Sequence, residues 1–162
     1  MVADMEPSIS GFWVFVRQIM GIKADVLPDD AYVVTFAFNL ATMIVNPDLR
    51  LVTASFPPAT TNNFPSLYAL CVYNLAGDRI INLAIDTNGN DFFANLRKTF
   101  KINDFSAGVV SSTNDEGTGV SLEVLDVFKN LTIAQLEYLS TPWGRAYLGY
   151  AQSAGPTLWG IS

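Results

Sequence analysis

The chain has 162 residues, of which 50% are apolar and only 15% charged, so one compact core is expected, with roughly 70% of the unfolded surface withdrawn from water and no need of metal or disulfide staples. Nine Lys and Arg against fifteen Asp and Glu give a net charge of −6, which removes the electrostatic drive for sequence-independent nucleic-acid binding. No apolar run reaches the ~18 residues of a membrane-spanning helix, and the absence of any histidine excludes Ser-His and Cys-His catalysis and the commonest transition-metal ligand.

In chain order, Ser10 stands ahead of the apolar segment Phe12 to Met20 with Gly21 behind it, the order of cap, short helix and terminal glycine. After Pro28, the acids Asp29 and Asp30 suit the positive end of a second helix, which has to stop before Asn46-Pro47. Val33, Phe36, Ala37, Leu40, Ala41 and Ile44 recur three and four residues apart and predict its core-facing stripe, with Asn39 and Thr42 largely off it. Residues 51 to 77 carry no charge, and Phe56-Pro57-Pro58 through Asn62-Asn63 reads as a loop that something covers. Phe64-Pro65-Ser66 then opens a third apolar segment, Leu67 to about Ala84. Leu67, Leu70, Cys71, Leu75, Ile81 and Leu83 support helix there, Gly77 is its weak point, and one helix or two both fit. Thr87-Asn88-Gly89-Asn90 is a turn, and Asp91 starts a helix over Phe92 to Phe100 with Arg97 and Lys98 near its negative end.

Helical rhythm is lost from Ile102 to Gly119. Val109-Val110 is brief and β-favouring, Ser111 to Gly117 is polar and turn-rich, and together they predict an extended arm or hairpin at about 105–125. Val120, Leu122 and Val124 continue that arm as a strand, or join Leu125 and Val127 on a helix. Thr132 with Gln135 is a capping-box pattern opening a short helix through Leu136 and Leu139. Thr141 before Pro142 places a cap ahead of a proline at the first helical position, and the new helix runs through Tyr147, Leu148 and Ala151 until Ser153-Ala154-Gly155-Pro156. The expected fold is mainly α: a small helical bundle over 1–154 with a long arm or hairpin insertion, then an extended C-terminal tail over 155–162. In that tail Pro156, Leu158 and above all Trp159 have little chain left to build a core around them, so a partner subunit is expected to receive the indole.

Catalytic and metal-binding chemistry finds little support. The pairs Asp29 with Asp30 and Asp115 with Glu116 read as charge at a helix start and as loop solvation. The loop Asp86 to Asp91 lacks the glutamate a calcium loop needs at its twelfth position, and Gly117-Thr118-Gly119 lacks the rest of any phosphate-binding pattern. Cys71, the single cysteine, sits among apolar neighbours as a buried small hydrophobe and fits a reducing compartment; Trp13 and Trp143 read as core. Asp4 and Glu6 stand where an export signal would be positive, so none is expected. No cofactor is expected. A charged fraction well below the ~25% of soluble domains, with mean hydropathy +0.29, instead implies an exterior covered by copies of the chain or by partners.

The stretch Leu139-Ser140-Thr141-Pro142-Trp143-Gly144-Arg145-Ala146-Tyr147-Leu148 resembles a pattern near the end of head-to-tail adaptor (connector) proteins of tailed bacteriophages. The order along the chain is similar too: a helix opened by Pro28-Asp29-Asp30, a long helix from Phe64, the polar arm Val109 to Gly119, then the terminal motif. The similarity spans about Leu27 to Gly149. It implies a structural protein of the virion neck, made in the host cytoplasm and without catalysis. Its twelve copies would ring the space between the portal protein above and a head-closure or tail protein below, and genomic DNA would pass through without specific binding. Thr141, Pro142, Trp143, Gly144 and Tyr147 would orient the last helix at a subunit contact, and Val109 and Val110 would belong to the inter-subunit arm. The tail with Pro156, Leu158 and Trp159 would reach the portal, and Asp115, Glu116 and Glu123 would lie near a phosphate-repelling channel. Departing from the family, only Arg145 is basic after the motif, and Phe56 to Asn63 has no counterpart. Two other readings stand beside this one: another neck or tail-completion protein, which would favour strand, and a small helical ligand-binding domain using Asp29, Asp30 and an aromatic pocket.

Overall fold

The computed structural model describes residues 6–50, 66–87, 89–102 and 133–153. Among them every regular element is helical: α1 (Ile9–Val14), continued by a π-helical turn (Phe15–Ile19), α2 (Tyr32–Ile44), α3 (Leu67–Leu83), α4 (Phe92–Thr99), α5 (Ile133–Tyr138) and α6 (Pro142–Ser153). The mainly α architecture expected from the sequence is thus observed. The arm at 105–125 and the tail at 155–162 lie outside the described residues, and no described helix is long and apolar enough to cross a membrane.

α3 is the central element. It packs most extensively on α6, next on α2, and touches α4 at its C-terminal side. Tyr68 in its first turn donates a long hydrogen bond of 3.5 Å to the Thr42 carbonyl near the end of α2, so the two helices run antiparallel. The segment Leu67–Leu83 is one helix. Its N-cap is Ser66, whose hydroxyl accepts from the Ala69 N–H at 3.1 Å. Gly77 proves to be a close approach: a Cβ there would stand 3.1 Å from Met20 Sδ and 3.5 Å from the Phe15 ring. The modest helix penalty of an internal glycine lets the π-helical turn lie against α3.

Several local expectations are corrected. The first helix is capped by Ser8, not Ser10: the Ser8 hydroxyl accepts from Gly11 N–H, and its own N–H donates to the Tyr73 hydroxyl at 3.1 Å. That tie to α3 settles which serine caps. Asp29 serves Arg17 rather than the second helix, which begins at Tyr32 without a side-chain cap. Arg17 also donates to the carbonyls of Ile22 and Leu27, and so organises the loop between α1 and α2. On α2 the buried residues are Val34, Ala37, Phe38 and Ala41, while Phe36 and Ile44 from the expected stripe are exposed. The reason is that Phe38 joins an aromatic cluster with Phe12 and Tyr73, at ring separations of 5.8 Å and 6.4 Å, and turns the helix accordingly.

Asp91 stands at the N-cap of α4 as expected, but its side chain makes no capping bond; Asp86 supplies it, its two carboxylate oxygens accepting from Phe93 and Ala94 N–H at 2.7 Å and 2.8 Å. Arg97 pairs with the same carboxylate at 3.9 Å and donates to the Ile81 and Ala84 carbonyls, closing the C-terminal end of α3. One acid and one base thereby fasten α4 to α3. Asp86→Ala is expected to lower the free energy of unfolding by about 1–2 kcal/mol, the cost of a lost cap and its ion pair. Urea unfolding followed by circular dichroism checks it; an unchanged midpoint would contradict the assignment.

Candidate functional site

The residues that carry the resemblance fall where α5, α6 and α3 meet. Pro142 is the first residue of α6, where its missing N–H costs nothing and its fixed φ suits helix. Thr141 caps it: the hydroxyl accepts from the Gly144 N–H at 2.9 Å and donates to Asp78 Oδ1 of α3 at 2.6 Å. The threonine is 0% exposed and Asp78 only 1%. Gly144 is buried because the chain closes over it: a Cβ there would run into the Tyr138 carbonyl oxygen and stand 2.9 Å from Asp78 Oδ1. Leu148 and Ala151 complete the buried edge of α6.

Aromatic rings flank this joint. Trp143 meets Phe100 edge-on at 6.0 Å, and Tyr147 meets Tyr138 edge-on at 5.5 Å. Both Trp143 and Tyr147 are half-buried against the core, and Pro142 is exposed. Thr141 and Gly144 are thus spent on α3 of their own chain rather than on a neighbour. The other residues expected at contacts, Val109, Val110, Pro156, Leu158 and Trp159, and the acids Asp115, Glu116 and Glu123, lie outside the described residues.

Asp78 is the member that the apolar pattern passed over. Burial pushes its carboxyl up to about 6, against the opposing pull of the Thr141 hydroxyl, the Arg79 guanidinium and Asn82; Glu137 adds a smaller push in the same direction as burial. Asn82 Nδ2 reaches Asp78 Oδ2 at 3.3 Å, and Arg79 lays its guanidinium 4.9 Å from the Tyr138 ring centre. Asn74, Asp78 and Asn82, four residues apart in a nearly uncharged segment, were the sequence signal: they form one polar line along a helix buried almost all round. Burial likewise raises the Tyr147 hydroxyl to about 12.

Chemically, this constellation is a joint. A carboxyl only 1% exposed can hold a proton, but it presents no open face to a substrate. No three His, Cys, Asp or Glu gather as a metal site among the described residues. Asp29 is exposed and pairs with Arg17. Cys71 is buried in α3, and burial pushes its thiol up to about 12, far from the thiolate that reacts. The native protein is expected to resist iodoacetamide at pH 8 for hours and to label within minutes in urea. Rapid labelling of the folded chain would contradict the burial of α3.

No protein-family model, curated protein or solved structure matches the chain.

Proposed function

We propose that the chain is a subunit of a head-to-tail connector ring in a tailed bacteriophage, a structural part of the conduit for DNA between portal and tail. The observation that carries this reading is the outer surface. Tyr32 is 77% exposed, Met43 83% and Ile85 82%, and Ile19, Val14, Phe36, Leu83 and Ile44 are exposed as well. Single exposed apolar side chains are ordinary, but a series of large ones on a chain with 15% charge is a surface suited to burial in an assembly. A closed ring buries such surfaces without leaving one unmatched.

Two further features support it. The Thr141-Pro142-Trp143-Gly144 motif works as a joint that fixes the direction of α6, so the chain leaving Ser153 starts from a defined position. A negative net charge of −6 also suits the wall of a channel that must not retain phosphate. The helical architecture speaks against a strand-rich stopper or completion protein. Negative-stain images of the purified protein, alone and mixed with the portal protein of the same particle, test the reading. Rings with a central opening, twelve-fold by the resemblance, are the expected result; monodisperse single chains in both samples would overturn it.

A further inference from the structure

α6 is held from one side. Among the described elements it packs appreciably only on α3 and on its neighbour α5, with Trp143 touching Phe100 just past α4. Of its twelve residues Gly144, Leu148 and Ala151 are buried, one large side chain among them, while Trp143 and Tyr147 are half-buried. Gly144 and Gly149 both lie within it, and a helix this short with two glycines has little stability of its own. α3, by contrast, is buried almost all round. Segments with few buried apolar contacts are the ones that open while the rest of a fold stays closed.

The buried polar tie between α6 and α3 is the bond from the Thr141 hydroxyl to Asp78 Oδ1, and Asp78 Oδ2 has Asn82 Nδ2 at 3.3 Å. Two neutral donors are few for a carboxylate that can accept about four hydrogen bonds. At 1% exposure no bulk water makes up the difference, so a negative charge there is poorly solvated until the joint opens. Arg79 of α3 favours that charge and the exposed Glu137 of α5 opposes it, but Arg79 lies over the Tyr138 ring and makes no ion pair with Asp78. Of the other ionisable groups on these elements, burial keeps the Tyr147 hydroxyl and the Cys71 thiol neutral. Arg145 is exposed and donates to the Leu139 carbonyl, and Asp86 and Arg97 pair with each other at the α4 contact.

We propose that α6 is a proton-controlled latch: a protonated Asp78 holds it on α3, and loss of that proton lets α6 lift at the Thr141 elbow while α2 and α3 stay folded. The point from which the chain continues beyond Ser153 moves with it. The latch needs no second copy and stands separately from the ring. Its direction follows from burial, which raises the Asp78 carboxyl from 3.8 to about 6 in the closed joint. The closed form therefore binds the proton more tightly than the open one, and opening grows as pH rises from about 4 through about 6, then levels off.

Amide hydrogen exchange of the full-length protein, resolved by segment and corrected for the intrinsic effect of pH, is the experiment. The opening constant of α6 is expected to rise about 50-fold between pH 4 and pH 7.5, out of the roughly 100-fold that a two-unit shift allows. At pH 7.5 α6 should exchange at least about 10-fold faster than α2, with a weaker dependence on urea because less surface is exposed. Asp78→Asn mimics the protonated carboxyl, so its α6 should be as protected at pH 7.5 as that of the wild type at pH 4. Exchange of α6 and α2 together at every pH would mean that the joint opens only by global unfolding, and overturns the latch. So would α6 protection that does not change with pH, or an Asp78→Asn variant that keeps the wild-type slope. The wild-type comparison of α6 with α2 decides by itself if the variant does not fold.

Discussion

Gly144→Ala is expected to cost about 3–5 kcal/mol of stability, a large share of the roughly 5–15 kcal/mol that holds a domain together. The added Cβ would overlap the Tyr138 carbonyl oxygen and crowd Asp78 Oδ1. The chain can make room only by moving the start of α6 away from the end of α5 and from Asp78 of α3. Overpacking alone costs about 1–3 kcal/mol, and this movement also stretches the buried Thr141–Asp78 bond, whose loss adds about 1–3 kcal/mol. Gly149 supplies the control. It lies in the same helix, and a Cβ there meets nothing within 4 Å, so Gly149→Ala should be neutral or stabilising by up to about 1 kcal/mol. Denaturant unfolding of the two variants side by side separates close packing from helix propensity. Equal stabilities would mean that Gly144 is not closely packed against Tyr138 and Asp78.

The pH dependence of stability is expected to carry the signature of Asp78. Its carboxyl is held at about 6 in the folded chain, above the ordinary value of 3.8, because desolvation outweighs the hydrogen bonds from Thr141 and Asn82 and the charge of Arg79, with Glu137 on the side of desolvation. A raised folded value means that the native state binds the proton more tightly than the unfolded state. The stabilisation is complete below about 4 and is lost as pH rises through about 6. A shift of about two units corresponds to at most about 3 kcal/mol. Subtracting the stability of Asp78→Asn from that of the wild type at each pH isolates this group. The difference should fall by about 2–3 kcal/mol between pH 4 and pH 7. A flat difference curve would mean that water reaches the carboxyl.

Sequence pattern identified the elements whose determinants are local. Thr141-Pro142 opened α6 because a capping hydroxyl and a proline at the first helical position act within one turn, and Ser66 opened α3 for the same reason. Caps chosen by tertiary contacts escaped it. Ser8 was selected over Ser10 by Tyr73, 65 residues away, and Asp86 reaches α4 across a turn, seven positions before the Phe93 N–H it accepts from.

Periodicity failed on α2 for a different reason. A helix apolar around most of its circumference gives no unique stripe, so Phe36 and Ile44 were expected inside while Val34 and Phe38 were passed over. The same all-round apolarity leaves Tyr32 and Met43 exposed. At the joint, the residues of the motif were legible and their partner was not. An acid inside an apolar helix reads as an interruption until the hydroxyl of Thr141, 63 residues on, is placed against it.

The central claim is that this chain completes its surface with copies of itself in a connector ring. The most direct test is the native mass of the wild-type protein over a concentration series, alone and with the portal protein of the same particle. The account predicts one narrow species, at a fixed multiple of 17.7 kDa for the protein alone or at the mass of the portal plus such a multiple in the mixture. A single 17.7 kDa species under every condition would contradict it.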